Sequence, residues 1–482
     1  MPTKRALRPR RRRPLAVLTL SILALIGANL AISSPAASED SSNHVAWFSR
    51  HYLMTKYGVS DAEAMRRMQL QWQVPRLDKK LSERFPHDYG GIWIDQAGGG
   101  IARVGMTNPA LLTDGSLSGF SDKKHITAVK VQYSLQQLEE TSAKLDHNLG
   151  AGLGRPINTS IDVPHNVVVL AEIGKSPTAL GKLPKLENSS IADQFVVHRH
   201  VDGDLKIGDV KQSQASKTSI EPNRTCDPIT CGPSMRGGLR LNVTRDDGTV
   251  GGCTNGFNVT RLDQNDSSTV DYMLTAGHCV LGDRHSGVQH TTHNGIEVGK
   301  EVEGTAFEDD SYPLDFALMP YETNDIRDYW LNESVHQHQI LSTCVSSAGG
   351  CIDGDLLDSG SYEQLPSVGT VMCATGSSST SSEGPAGWVD GTRCGEVESG
   401  GDGGIRTNIC SRKGDSGGPL FWEAGGGGYA TVAGILHDGT DTNSATCGSN
   451  EYSDYAPWGT IHSWLNQMQP GYDFWVEDIP GS

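Results

Sequence analysis

The sequence predicts an all-β body in its carboxy-terminal half, preceded by a smaller α+β module. Three observations carry this. All ten cysteines lie between Cys226 and Cys447. Charge divides at the same place. Residues 1–224 hold 29 Lys+Arg against 21 Asp+Glu, net +8, while residues 225–482 hold 11 against 36, net −25. From Cys226 onward, short apolar runs are divided by Gly, Asp, Asn and Ser, the pattern of many short strands with frequent turns. A length of 482 residues exceeds one ordinary domain, and 36% hydrophobic residues suffice to build cores. The total charge of −17 argues against a general nucleic-acid binder, which needs basic surface to displace counterions.

The amino terminus opens with Lys4, Arg5, Arg8 and the run Arg10 to Arg13, followed by an apolar stretch, Leu15 to Ile26. Small residues follow, Ser33-Ser34-Pro35-Ala36-Ala37-Ser38. This order of segments predicts a secretory signal peptide over 1–38 and an extracellular destination. The apolar run of about 12 residues is short of the ~20 needed to span a bilayer, so no membrane anchor is expected. In an oxidising compartment ten cysteines predict disulfides. No C-x-x-C spacing occurs, and no metal or other cofactor is expected.

Residues 39–224 carry mixed periodicities. Ser60-x-x-Glu63 is a capping box, and Ala64, Met65, Met68 and Trp72 recur at helical spacing until Pro75, where the helix should stop. Asp78 to Phe85 predicts a second short helix. Ile92-Trp93-Ile94 and Ile101 to Val104 predict a hairpin around Gly98-Gly99-Gly100. Ala128 to Tyr133 reads as a strand, Ser134-x-x-Gln137 starts a helix with Leu135, Leu138 and Leu145, and Asn166 to Leu170 reads as another strand. Residues 171–224 are polar and irregular, as in a linker. His51, His87 and His165 stand alone and read as ordinary histidines.

In the carboxy-terminal half, Leu239 to Val243, Gly256 to Val259, Tyr272 to Leu274, Phe316 to Met319 and Thr431 to Leu436 read as strands, and Ile461 to Gln467 as a terminal helix. Two motifs follow or precede such runs: Thr275-Ala276-Gly277-His278-Cys279 and Gly414-Asp415-Ser416-Gly417-Gly418-Pro419. A serine hydroxyl is a weak nucleophile near neutral pH and needs a base, oriented by a carboxylate. Ser416, His278 and Asp315, in Leu314-Asp315-Phe316, fill these roles, with Asp309 and Asp310 as competitors for the last. The glycines around Ser416 suit a tight turn whose Gly414 and Ser416 N–H groups meet at one point, an oxyanion hole.

Taken in the order His, Asp, Ser, these motifs resemble the chymotrypsin-like serine proteases, in particular the secreted bacterial streptogrisin and α-lytic type. That branch carries a long pro-segment, and Tyr57-Gly58-Val59-Ser60 and Gly90 to Asp95 resemble it. The resemblance implies two six-stranded antiparallel barrels with a C-terminal helix over 225–482, behind a pro-segment over 39–224. It implies a serine endopeptidase made as a zymogen, acting on protein or peptide substrates through an acyl-enzyme. The pro-segment is then a folding template and inhibitor in the same chain, and the enzyme a monomer. It also implies the bridges Cys253–Cys279, Cys373–Cys394 and Cys410–Cys447, leaving Cys226–Cys231 and Cys344–Cys351 as local loops. The chain departs from the family twice. Ala374 stands where a basic residue usually follows the cysteine to pair with Asp415, leaving Arg393, Arg412, Lys413 or a new amino terminus for that role. His437 stands where serine is usual, and three readings are open: it supports Asp315, it lines a specificity pocket with Arg412, Asp438 and Gly439, or it is an ordinary pocket-side histidine without special role. Cleavage preference stays open: Asp438 or Asp441 would favour a basic residue, His437 an acidic one.

Two other readings compete. Gly414-Asp415-Ser416-Gly417-Gly418 also satisfies the G-x-S-x-G pattern of esterases and lipases. Those enzymes run Ser, acid, His along the chain, which leaves His278 idle. An inactive protease-like binding module would be expected to lack His278 or Ser416, and both are present.

Overall fold

The computed structural model describes residues 46–153, 157–172, 195–199, 208–209, 228–244, 250–280, 290–300, 307–309, 314–331, 339–342, 354–378, 391–401, 404–423, 428–440, 442, 444 and 446–476. The signal segment, Asp310, Asp441, Cys226, Cys344 and Cys351 lie outside them. Residues 42–482 form one compact unit.

Helix α1 spans Trp47–Tyr57 and ends on Gly58, whose φ of 64° supplies the left-handed cap. Helix α2, Asp61–Arg84, begins at Ser60, whose side chain accepts from the Glu63 N–H. Contrary to the expectation from the sequence, Pro75 does not stop this helix, and no separate helix starts at Asp78. The proline removes one backbone hydrogen bond. Leu70, Val74, Leu77 and Leu81 lie on both sides of it and bury one continuous stripe against Tyr89, Ile92, Ile94 and Val104. That burial offsets the lost bond. The predicted hairpin forms from strands Tyr89–Asp95 and Ile101–Met106, and strand Ile126–Lys130 adds to it in parallel. Helix α3 spans Leu135–Leu153, and Ser134 and Gln137 exchange the reciprocal bonds of a capping box.

Three more strands of this region, Ile157–Asp162, Val167–Glu172 and Phe195–Arg199, continue a sheet of the carboxy-terminal half, where Ile161 pairs with Gly400. Phe195–Arg199 and Gly208–Asp209 both fall in the stretch expected to be irregular.

The carboxy-terminal half is all β with short helices, as predicted. Strands Val371–Gly376, Gly391–Gly401, Gly404–Thr407, Ser453–Pro457, Tyr429–Gly439 and Pro419–Glu423 pair in that order and return to the first. This is a closed six-stranded barrel, which leaves no free edge among its members. Instead of a second closed six-stranded barrel, nine described strands between Gly208 and Pro320, together with strand Tyr472–Val476, form two five-stranded sheets, joined where Gly299 bridges Tyr321. The C-terminal helix, Trp458–Met468, buries Trp458, Ile461 and Leu465. The chain then returns to the first sheets: strand Tyr472–Val476 pairs with Phe257–Asp263. Among the described residues, no helix is long and apolar enough to cross a membrane.

Three disulfides join Cys253 to Cys279, Cys373 to Cys394 and Cys410 to Cys447, the pairs the resemblance implies. Cys231 is also disulfide-bonded.

Candidate active site

His278 sits in a short helical turn, Gly277–Val280, just after strand Thr269–Thr275, whose last four residues are buried. The Cys253–Cys279 bridge pins this turn to strand Val250–Thr254. Asp315 immediately precedes strand Phe316–Pro320, which pairs with the strand leading to His278. Strand pairing therefore brings together residues 37 apart in sequence. Asp315 takes φ 31°, a conformation that non-glycine residues seldom adopt.

One Asp315 oxygen, Oδ1, accepts the His278 backbone N–H at 2.8 Å. The other, Oδ2, lies 2.7 Å from His278 Nδ1. Together these contacts fix both the imidazole and the carboxylate. Burial alone would raise the Asp315 carboxyl. The charge and hydrogen bond of His278 outweigh it, His437 adds to them, and the carboxyl lies below its usual range. His437 is buried on strand Tyr429–Gly439 with Nδ1 at 3.9 Å from Asp315 Oδ2. This position is beside Asp315.

Ser416 lies in a tight turn before strand Pro419–Glu423. Its carbonyl accepts the Thr254 N–H at 2.8 Å, which ties the turn to the strand holding Cys253. Its hydroxyl is fully buried and makes no hydrogen bond among the described residues. Gly417, at φ 85°, has no room for a side chain, since a Cβ would meet Thr275 Oγ1 and the Thr254 carbonyl. Gly414 takes φ 96°, and its carbonyl accepts the Thr254 hydroxyl at 2.8 Å.

Asp415 is buried, and its neighbours settle which of the four candidates pairs with it. Arg393 Nη2 donates to Oδ2 at 2.8 Å, from a position opposite Ala374 on the neighbouring strand. The backbone N–H groups of Ser378 and Arg412 add bonds of 2.8 and 2.9 Å. The Arg412 guanidinium turns elsewhere, to Glu451 at 2.6 Å and to the Ser444 and Thr446 carbonyls. Arg412 thereby braces the loop that Cys410–Cys447 also closes. Asp438 accepts the Gly439 N–H at 2.7 Å. Asp309, the competitor within the described residues, lies on strand Phe307–Asp309, opposite Phe316.

Residues 268–465, which span this constellation, match the trypsin family. They form a chymotrypsin-like serine protease domain. No curated protein matches the chain. One solved structure is described as a glutamic acid specific serine protease utilizing a novel histidine triad in substrate binding. It is 21% identical, with a TM-score of 0.29, and the match covers 50% of this chain and 99% of that one. The protease domain is a serine hydrolase acting on protein or peptide substrates.

Glu423 is a buried residue that sequence reasoning missed. It ends strand Pro419–Glu423 and is 2% exposed. Its oxygens accept the backbone N–H groups of Phe48 at 3.2 Å and Ser49 at 2.6 Å. Burial raises its carboxyl above the usual range, and the bonds from Ser49 and Phe48 only partly oppose this. The available signal was one charged residue closing the apolar run Leu420-Phe421-Trp422.

Proposed function

We propose that the chain is a secreted serine endopeptidase made as a zymogen, with Ser416 as nucleophile, His278 as general base and Asp315 as orienting carboxylate. The observation that carries this is the double contact of Asp315 with His278. It leaves Nε2 as the imidazole nitrogen available to take the Ser416 proton. Ser416 attacks the peptide carbonyl, and His278 hands the proton to the leaving amine. Water activated by the same imidazole then hydrolyses the acyl-enzyme. The N–H groups of Gly414 and Ser416 stabilise the oxyanion. In known cases, losing one such donor costs ~2.7–4 kcal/mol.

Residues 39–224 act as the pro-segment, and export follows from the amino-terminal signal. The folded, disulfide-bonded protease domain supports this reading, as does the contact between Glu423 and the start of α1. An organophosphonate should form an adduct on Ser416 of the processed protein and none on a Ser416→Ala chain. An unlabelled processed protein would sink the proposal. Activity should also fall on acidification; a profile flat from about pH 8 to about pH 5 would contradict the role of His278.

A further inference from the structure

Thr254 stands where the turns of His278 and Ser416 meet, and each of its polar groups is engaged there. The residue is fully buried at the end of strand Val250–Thr254. Its carbonyl accepts the Thr275 hydroxyl at 2.9 Å, from the strand that leads to His278. Its N–H donates to the Ser416 carbonyl at 2.8 Å. Its hydroxyl donates to the Gly414 carbonyl at 2.8 Å. That hydroxyl also accepts the Ser377 N–H at 3.2 Å and lies 2.6 Å from Ser377 Oγ. Filling both short contacts leaves one assignment of the protons. The Gly414 carbonyl can only accept, so Thr254 donates to it and Ser377 donates to Thr254. One chain of donors results, from Ser377 through Thr254 to Gly414. Arg240 Nη1 anchors its far end at the Ser377 carbonyl, at 3.1 Å. Chained hydrogen bonds in a buried site polarise and strengthen one another.

We propose that Thr254 is a positioning residue for the oxyanion hole, acting through Gly414. The proposal rests on the reading of the Gly414 and Ser416 N–H groups as that hole. The Gly414–Asp415 peptide lies between the two donors. One side of it is already fixed, since the Asp415 carboxylate is held by Arg393 and by the N–H groups of Ser378 and Arg412. The other side is Gly414, whose φ of 96° is open to glycine and which has no side chain to resist rotation. The Thr254 hydroxyl supplies that resistance. It holds the Gly414 carbonyl while the Thr254 N–H holds the Ser416 carbonyl, so the two donors stay aimed at one point before substrate arrives. Such preorganisation is what makes an oxyanion hole effective. The backbone bond at Ser416 alone would leave the Gly414 donor able to turn away.

The test follows fluorophosphonate labelling of Ser416 in the processed protein. The full chain carries a recognition sequence for an unrelated protease between residues 215 and 216, so that no variant depends on its own activity for processing. Thr254→Val keeps the shape and removes the hydroxyl, whereas Thr254→Ser keeps the hydroxyl. Rates are counted per molecule that finally takes the label, which leaves unfolded protein out. Thr254→Val should lower the limiting rate at saturating probe by at least about tenfold, with half-saturation within about twofold of the unsubstituted protein. Thr254→Ser should restore that rate to within about threefold, and Ser377→Ala, which removes the donor feeding Thr254, should slow it by about threefold. A Thr254→Val protein with the unsubstituted limiting rate would overturn the proposal. So would a change confined to half-saturation, or a Thr254→Ser protein as slow as Thr254→Val. Where Thr254→Val yields no folded protein, Ser377→Ala decides alone, and an unaltered limiting rate overturns the proposal. Failure of the underlying reading looks different: the unsubstituted processed protein would itself take no label.

Discussion

Asp315 and Glu423 are both buried carboxylates of the protease domain, and each accepts backbone N–H bonds, yet their carboxyls move in opposite directions. Asp315 also faces two imidazoles, His278 at 2.7 Å and His437 at 3.9 Å, and lies below its usual range. Glu423 meets two backbone N–H groups at the start of α1, with Arg50 contributing weakly, and is raised by burial. The difference teaches that backbone dipoles can satisfy a buried carboxylate without repaying the loss of water around its charge. A group able to carry positive charge can repay it. The catalytic corner therefore suits a permanent anion, whereas burial raises Glu423 with no imidazole beside it among the described residues to oppose the shift.

The largest expected effect breaks the comparison on the Asp315 side. Asp315→Asn keeps the shape but presents an amide to His278 Nδ1, favouring the tautomer that cannot accept the Ser416 proton. We expect kcat to fall by about 10⁴-fold, with phosphonate labelling of Ser416 slowing in parallel. Normal labelling would remove Asp315 from the reaction.

A third buried carboxylate sharpens it. Asp415 has a cation, Arg393, at 2.8 Å. Arg393→Met should leave that charge unpaired beside Ser416 and destabilise the protein by about 3–5 kcal/mol. Chemical denaturation reads the loss directly. A cost below about 1 kcal/mol would show that the Ser378 and Arg412 N–H groups suffice alone.

The smallest effect concerns pH. A carboxyl raised in the folded state contributes stability that is fully present below its unfolded value, about 4.3. That contribution is lost as pH rises through the folded value. The stability of the intact Ser416→Ala chain, relative to the same chain with Glu423→Gln, should therefore decline as the pH rises from about 4. Melting temperatures of the two chains at successive pH values check it. A constant difference would mean that Glu423 keeps one protonation state throughout.

Much of the protease domain was legible because its signals are local. Thr275 to Cys279 and Gly414 to Pro419 are contiguous runs, and the strands before and after them follow from apolar runs and turn residues. Arg393 was legible only as one of four candidates, because its choice depends on the pairing of strands Val371–Gly376 and Gly391–Gly401. Pro75 misled because its local penalty was plain in the sequence. The compensating stripe of Leu70, Val74, Leu77 and Leu81 needed a partner sheet that the sequence does not display. Glu423 showed only as a charge closing an apolar run, since the groups it binds are backbone N–H groups from the other end of the chain. Side-chain chemistry writes itself into sequence, whereas acceptors for backbone groups seldom do.

The return of strand Tyr472–Val476 to Phe257–Asp263 has a mechanical consequence. Five residue pairs, from Val259↔Val476 to Asp263↔Tyr472, fasten the last strand to the sheet that also carries the strand before His278. The closed barrel sits between these two stretches in the chain, so it is held as a loop clamped at its base. Neither half can swing away or fray on its own until that clamp is peeled. Melting of the protease domain should accordingly run as one cooperative event rather than two, making the hinge between the halves a seam and not a joint.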